Sequence, residues 1–321
     1  MNTKRGFLAL VLAGAALAPF GDLHAQSAWP SRPIRLIVPY PPGGGADNIS
    51  RAISDRLSGV LGQPVVIENR GGAGATIGTQ AAAQSNGDGY TLLMAPTAVM
   101  AVTPHLRAVP YDPASFVPVA MVSGSYGIVT VRKDLPAKTA TEMISAAKAQ
   151  PGKFTFGSAG LATLTHLGGE MFQLHTGVKL LHVPYKGSVE SMNDLVGGRI
   201  DMIFDSVALP QIKAGNLRAL AVMTPQRHPE LPDVPTLAEL GVGFESRSWF
   251  GVFAPKGTPA DVVAKVSSAL EQVLKAPEVA ATLLKFSHFP SFEAAPAFAA
   301  RVRNDSTFFR ELIDRAHIKI E

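Results

Sequence analysis

Val38-Pro39-Tyr40-Pro41-Pro42-Gly43-Gly44-Gly45-Ala46-Asp47 is where an apolar strand stops and a helix starts, and this turn decides the fold. Ile34, Leu36 and Val38 make a β-rich run, Pro41 and Pro42 stop it, and the glycines open backbone angles that side chains resist. Asp47 is placed to cap a helix whose apolar residues Ile49, Ala52, Ile53, Val60 and Leu61 recur at helical spacing. The helix then offers unpaired amides and its positive dipole end beside the glycines, which suits an anion. Most glycine-rich strand-to-helix turns bind nothing, so the function has to be carried by more of the chain.

A chain of 321 residues exceeds one ordinary core and predicts two domains or one large one. Lys4 and Arg5 precede an apolar run from Phe7 to Phe20 that is too short to span a bilayer, and Leu23-His24-Ala25 puts a small residue at a cleavage position. Residues 1–25 are therefore expected to be a secretory signal peptide, cleaved near Ala25, with the mature protein in the periplasm. The formal net charge is +4 and the basic residues are scattered, which excludes nucleic acid as a partner. No cysteine is present, so disulfides, thiolate chemistry and a lipoprotein anchor are all excluded.

From Ile34 onward, short apolar runs alternate with helical patterns in the manner of βαβ units. Strands are read at Ile34–Val38, Val65–Ile67, Thr91–Ala95, Gly127–Val131, Phe154–Phe156, Leu180–Val183, Met202–Phe204, Leu217–Val222 and Gly251–Ala254. Thr139-Ala140-Thr141-Glu142 is a capping box for a helix ending before Pro151, and two helices close the chain, from Pro259 to Lys275 and from about Ala297 to Ala316. Chain crossings near Gly127–Val131 and Trp249–Ala254 divide the protein into domain I (26–126 and 249–321) and an inserted domain II (127–248), joined by a two-strand hinge. Each lobe is expected to be an α/β layer, a mostly parallel sheet flanked by helices, and such an arrangement favours closure around a ligand.

A second stretch mirrors the first. Phe156-Gly157-Ser158-Ala159-Gly160-Leu161-Ala162-Thr163 again follows a strand and precedes a helix. Two helix N-termini from opposite lobes would clamp the two ends of a diacid, each contributing about 0.3–1 kcal/mol when exposed and up to about 2 when partly buried.

Further segments lie along the chain in order: Trp29-Pro30-Ser31-Arg32-Pro33-Ile34, Leu61-Gly62-Gln63-Pro64-Val65-Val66, Glu68-Asn69-Arg70-Gly71-Gly72-Ala73-Gly74 and Asp88-Gly89-Tyr90-Thr91-Leu92-Leu93. They continue with His182-Val183-Pro184-Tyr185-Lys186-Gly187 and Leu231-Pro232-Asp233-Val234-Pro235-Thr236. With the proline-glycine turn, Asp47 and Arg51, these segments make the chain similar to the periplasmic solute receptors of tripartite tricarboxylate transporters, the Bug-type family, over its whole mature length. The resemblance implies a two-domain, hinge-closing periplasmic binding fold, type II-like, with a carboxylate-containing ligand between the lobes. It also implies permease subunits of the cytoplasmic membrane as partners, a monomeric receptor and no cofactor.

The resemblance further places Ser158, Thr163 and His166 at the polar contacts of the second loop, and Gly74 and Thr97 at the pocket edge. Asp205 follows the strand ending at Phe204, where it would cap a helix; the resemblance favours a binding role, toward a ligand hydroxyl or amine or toward ordered water. Tyr40 carries a hydroxyl where the family often has phenylalanine. The expected ligand-binding set is Tyr40, Gly43, Gly44, Gly45, Asp47, Gly74, Thr97, Ser158, Ala159, Gly160, Thr163, His166 and Asp205, with no metal.

Enzyme motifs fail on spacing. Ser158 lacks the glycine two positions earlier that a nucleophile elbow needs, the third dinucleotide glycine after Gly72 and Gly74 would fall on Ile77, and no lysine completes a P-loop. A ligand-sensing accessory of a two-component sensor would use the same pocket, and a hydrolase on an unrelated scaffold would need Ser158 as nucleophile. Dicarboxylates, acidic amino acids, aromatic acids and neutral amides all remain open as ligands.

Overall fold

The computed structural model describes residues 29–161, 163–243, 247–315 and 318; the expected signal peptide, Ala162 and Ala316 lie outside the described residues. The chain starts with β1 (Ile34–Val38), α1 (Gly45–Leu61), β2 (Val65–Asn69), α2 (Thr76–Ala83), β3 (Thr91–Pro96), a π-helical turn at Ala98–Val102, α3 (Thr103–Leu106) and β4 (Phe116–Ser125). Tyr126 and Gly127 lead to β5 (Ile128–Arg132), α4 (Ala140–Ala149), β6 (Thr155–Ser158), α5 (Leu164–Thr176), β7 (Leu181–Pro184), α6 (Ser188–Val196), β8 (Met202–Phe204), α7 (Leu209–Lys213) and β9 (Leu217–Val222). The chain ends with β10 (Trp249–Pro255), α8 (Ala260–Leu274), α9 (Pro277–Leu284), β11 (His288–Ala294) and α10 (Ala295–Arg315).

The strands form two sheets, ordered β11-β4-β10-β3-β1-β2 and β7-β6-β8-β5-β9. Both are mixed. β10 and β11 run against β1 to β4 in the first sheet, and β5 runs against the other strands of the second. The βαβ units thus build the parallel portion of each sheet, and the strands by which the chain enters the second sheet and returns to the first run against it.

Two strands escape the periodicity reading, β4 and β11. β4 contains Pro118 and Gly124, which read as breaks, yet Pro118 pairs with Phe253 where the β10 ladder shifts register, a place that tolerates a missing donor. Gly124 is required by packing, since a Cβ there would sit 2.3 Å from the Phe289 ring of β11.

In α1 the buried stripe runs through Ile49, Ile53, Leu57 and Leu61, whereas Val60 is 39% exposed and Ala52 only half-buried, so the apolar face is rotated from the one expected. The helix is capped by Gly44 without a side-chain bond, which corrects the expectation that Asp47 is the cap. α4 has the expected Thr139 cap, with Glu142 N–H donating to Thr139 Oγ1 at 3.1 Å, while the Glu142 carboxylate accepts at 2.7 Å from Lys138 N–H, one residue before the cap. α10 covers the start of β10, where Trp249 meets Phe298 edge-on at 5.0 Å and its indole N–H donates to buried Asp305 at 2.8 Å.

Around the passages between the sheets the side chains interlock. Met223 N–H donates to Gly127 O at 3.0 Å, and Tyr126 N–H donates to Ser287 O at 3.0 Å. The Tyr126 ring lies 4.4 Å from His228 and 4.8 Å from Phe289. His228 Nδ1 accepts from Glu230 N–H at 3.0 Å, so the ring proton is on Nε2, which donates to Ser287 Oγ at 3.0 Å.

Candidate functional site

β1 delivers the chain into the proline-glycine turn, and Asp47, in the first turn of α1, organises that turn from within. The Asp47 carboxylate is buried and accepts from Gly43 N–H at 2.9 Å, Arg51 Nε at 2.9 Å and Asn69 Nδ2 at 2.9 Å. Asn69 Nδ2 also donates to Tyr40 O at 3.1 Å, so β2 is tied to the turn that follows β1. Burial pushes the Asp47 carboxyl up, but the hydrogen bonds from Arg51, Gly43 and Asn69 outweigh it and hold the group below the usual carboxylate range. The first N–H to bond back into the helix is that of Asn48, to Gly44 O at 2.9 Å, and the amides from Gly44 to Asp47 precede the ladder.

A Cβ on Gly45 would lie 3.0 Å from His288 Nε2 and 3.3 Å from Phe250, so the helix start rests directly on those rings. His288 is buried, its Nδ1 has no hydrogen-bond partner among the described residues, and burial pushes it down to about 4 against the pull of the Gly124 backbone. Tyr40 is half-buried; burial, then the neighbouring Tyr111, raises its hydroxyl and keeps it neutral. The loop before α2 touches the same turn, because a Cβ on Gly71 would meet Pro41 at 3.0 Å. Gly74 has φ +62°, and a Cβ there would run into Arg107, which donates to Ala73 O at 2.8 Å. Thr97 is fully buried, and its hydroxyl bridges Arg247 O (3.0 Å), Trp249 O (3.2 Å) and Trp249 N–H (2.9 Å); these bonds tie β3 to β10 and occupy the side chain.

The second loop is hydrogen-bonded to itself. Gly160 N–H donates to Ser158 Oγ at 3.1 Å, Ala159 N–H donates to Thr165 Oγ1 at 2.8 Å, and Thr163 caps α5 by accepting from His166 N–H at 3.4 Å. Thr163 Oγ1 also donates to Gly160 O at 2.7 Å. His166 is buried, stacks on His182 at 4.1 Å and lies 3.6 Å from Glu170. Its backbone N–H serves the cap and its ring belongs to the packing behind the loop.

β6 and β8 are parallel neighbours with Gly157 opposite Ile203, so Ser158 and Asp205 emerge at the same sheet edge. Asp205 Oδ1 accepts from Val207 N–H at 3.0 Å, capping the short helical turn Ser206–Ala208, and Oδ2 accepts from Ser188 Oγ. Burial raises its carboxyl, opposed by the bonds from Ser188, Val207 and Ser206.

Tyr40, Gly43, Gly44, Gly45, Asp47 and Gly74 thus gather on the first sheet, and Ser158, Ala159, Gly160, Thr163, His166 and Asp205 on the second, while Thr97 is buried among backbone partners. Sequence reasoning missed His182, Asn69, Ser188 and His288. His182 and Asn69 stood inside segments already singled out, but nothing in their spacing says that they bond to Ser158 and Asp47.

The family model described as "Tripartite tricarboxylate transporter family receptor" matches residues 49–315. A "UPF0065 protein in tcbD-tcbE intergenic region" from Pseudomonas sp. is 40% identical over 311 residues, 94% of this chain and 93% of the relative. BugT of Bordetella pertussis is 39% identical over 288 residues, 87% of each chain. Among solved structures, Rpa4515 of R. palustris with adipate superposes with a TM-score of 0.85 at 34% identity, covering 91% of this chain and 99% of that one. The periplasmic binding protein BugD gives 0.83 at 34% (91% and 100%), and MatC of Rhodopseudomonas palustris with bound malate gives 0.80 at 28% (89% and 100%).

Proposed function

The chain belongs to the tripartite tricarboxylate transporter receptor family, whose members are periplasmic solute-binding proteins of two-domain α/β fold and not enzymes, and from that premise we propose a specific role for it. It captures a small carboxylate-bearing molecule between two lobes and delivers it to permease subunits in the cytoplasmic membrane. The observation that carries this reading is the pair of matching strand-to-helix turns, β1 to α1 and β6 to α5, one on each sheet. Each sets small residues and a helix N-terminus at a sheet edge, which recognises a carboxylate without a basic side chain. That two structural neighbours hold adipate and malate favours a dicarboxylate of four to six carbons.

Residues 26–126 with 249–321 form one lobe and 127–248 the other, the receptor is a monomer, and the signal peptide is removed before Gln26. Gly43, Gly44, Gly45 and Gly74 with Tyr40 and Asp47 shape one end of the pocket; Ser158, Ala159, Gly160, Thr163 and Asp205 shape the other, with His166 packed behind them. Thr97 acts from behind, through β10.

A panel of small acids tested by thermal shift and calorimetry decides the reading. Ligand at 100 times its dissociation constant should add about 2.7 kcal/mol of stability. Protein stripped of bound ligand by unfolding and refolding that responds to no acid or amide in the panel would overturn the receptor role, and N-terminal sequencing of periplasmic material checks the cleavage site.

A further inference from the structure

Ser158 ends β6, and its hydroxyl lies 2.7 Å from Nε2 of His182, on the edge strand β7. The same oxygen accepts from Gly160 N–H at 3.1 Å and stands 3.1 Å from Gly160 O. A hydroxyl has one proton to give, so the imidazole decides where it goes: a bare Nε2 draws it, while an Nε2–H turns it toward Gly160 O. In either state the serine links β7 to the turn. The ring of His182 is itself held, stacked on His166 at 4.1 Å and on Phe156 at 4.7 Å. Burial, then the neighbouring His166, pushes His182 down to about 4 against the pull of Glu170, so the ring is neutral at neutral pH.

We infer that His182 is a positioning residue of the second loop: it fixes the Ser158 hydroxyl and through it the Ser158–Gly160 turn against which a ligand carboxylate is held. The consequence for affinity rests on the receptor reading above; the effect on the turn does not. Loss of His182 frees Ser158 to rotate and leaves the Gly160 amide without a fixed acceptor, which loosens the approach to the α5 N-terminus.

The test compares wild type with His182→Leu, His182→Gln and Ser158→Ala, reading hydrogen exchange across the second loop and titration calorimetry with succinate, malate and adipate. Glutamine restores a hydrogen-bonding atom near the place of Nε2; leucine keeps bulk alone. Exchange at Gly160 is expected to rise about tenfold in His182→Leu and in Ser158→Ala, with a double variant carrying both substitutions adding nothing further, and affinity for the best acid to fall about tenfold in parallel. His182→Gln should stay near wild type in both. Equal Gly160 exchange in His182→Leu and wild type overturns the inference. Where the leucine variant does not fold, unchanged exchange in Ser158→Ala overturns it instead. Should wild type bind none of the three acids, the dicarboxylate reading fails, while the exchange comparison still decides the role of His182.

Discussion

At the scale of single residues, the glycines of the first loop do different jobs. Gly43 holds φ +87°, Gly45 has rings of His288 and Phe250 against it, and Gly44 sits at φ −77° with nothing nearer to an added Cβ than Pro41 O at 3.7 Å. Gly43→Ala should therefore cost about 1 kcal/mol, while Gly44→Ala should stay within about 0.5 kcal/mol. Denaturant unfolding checks this order, and a Gly44 variant as damaged as the Gly43 one would refute it. The glycine run was legible in the sequence, but the division of labour was not, because it is set by His288 and Phe250 from the far end of the chain. His288 and His182 also predict an acid effect. Both are pushed from the ordinary histidine value near 6.5 down to about 4, so the unfolded chain takes up protons first as pH falls. Their contribution to stability is complete above pH 6.5, drains between about 6.5 and 4, and is spent below. The melting temperature should fall across that window, and less steeply in His288→Leu; a parallel slope in that variant would remove His288 from the account.

At the scale of elements, strand-helix alternation was readable wherever an apolar run had polar or glycine-rich flanks, which gave β1, β8 and β9 to the residue and the other strands to within a few positions. β4 and β11 were not readable because local chemistry argues against both. Each contains a proline, and each is placed by a shift in register against a partner distant in sequence. The loops of the candidate site were visible for the same reason that β1 and β6 were: they follow apolar strands and hold small residues. Their internal bonds were invisible, since Asp47, whose position predicts a cap, instead binds Gly43, Arg51 and Asn69. The β4–β11 contact is the sharpest test of the packing. Gly124→Ala puts a methyl into the Phe289 ring and should cost about 1–3 kcal/mol by overpacking. Phe289→Leu should recover part of that loss in the double variant, and additive losses in urea unfolding would show that the two positions do not meet.

At the scale of the whole molecule, the passages between the sheets determine how the proposed lobes move. Tyr126 is bonded to Ser287 and packed between His228 and Phe289, and His228, in the stretch after β9, donates to the same Ser287, so both passages are anchored at the residue before β11. Beside that anchor lie Gly127 and Met223, which share one hydrogen bond at 3.0 Å and are the expected place of bending. Gly127 has φ +43°, and a Cβ there would press on Met223 at 3.3 Å. If closure pivots at this pair, Gly127→Ala should impair it while leaving the two loops of the proposed site untouched. Wild type should show a smaller radius of gyration with saturating ligand than without. In Gly127→Ala that difference should shrink and the association rate should fall, with the melting temperature of the free protein lowered by only a few degrees. His228→Ala, which loosens the anchor and not the pivot, should instead lower stability and leave the contraction in place. An undiminished contraction in Gly127→Ala, or one abolished in His228→Ala, would move the pivot from Gly127 to the anchored side of the passage.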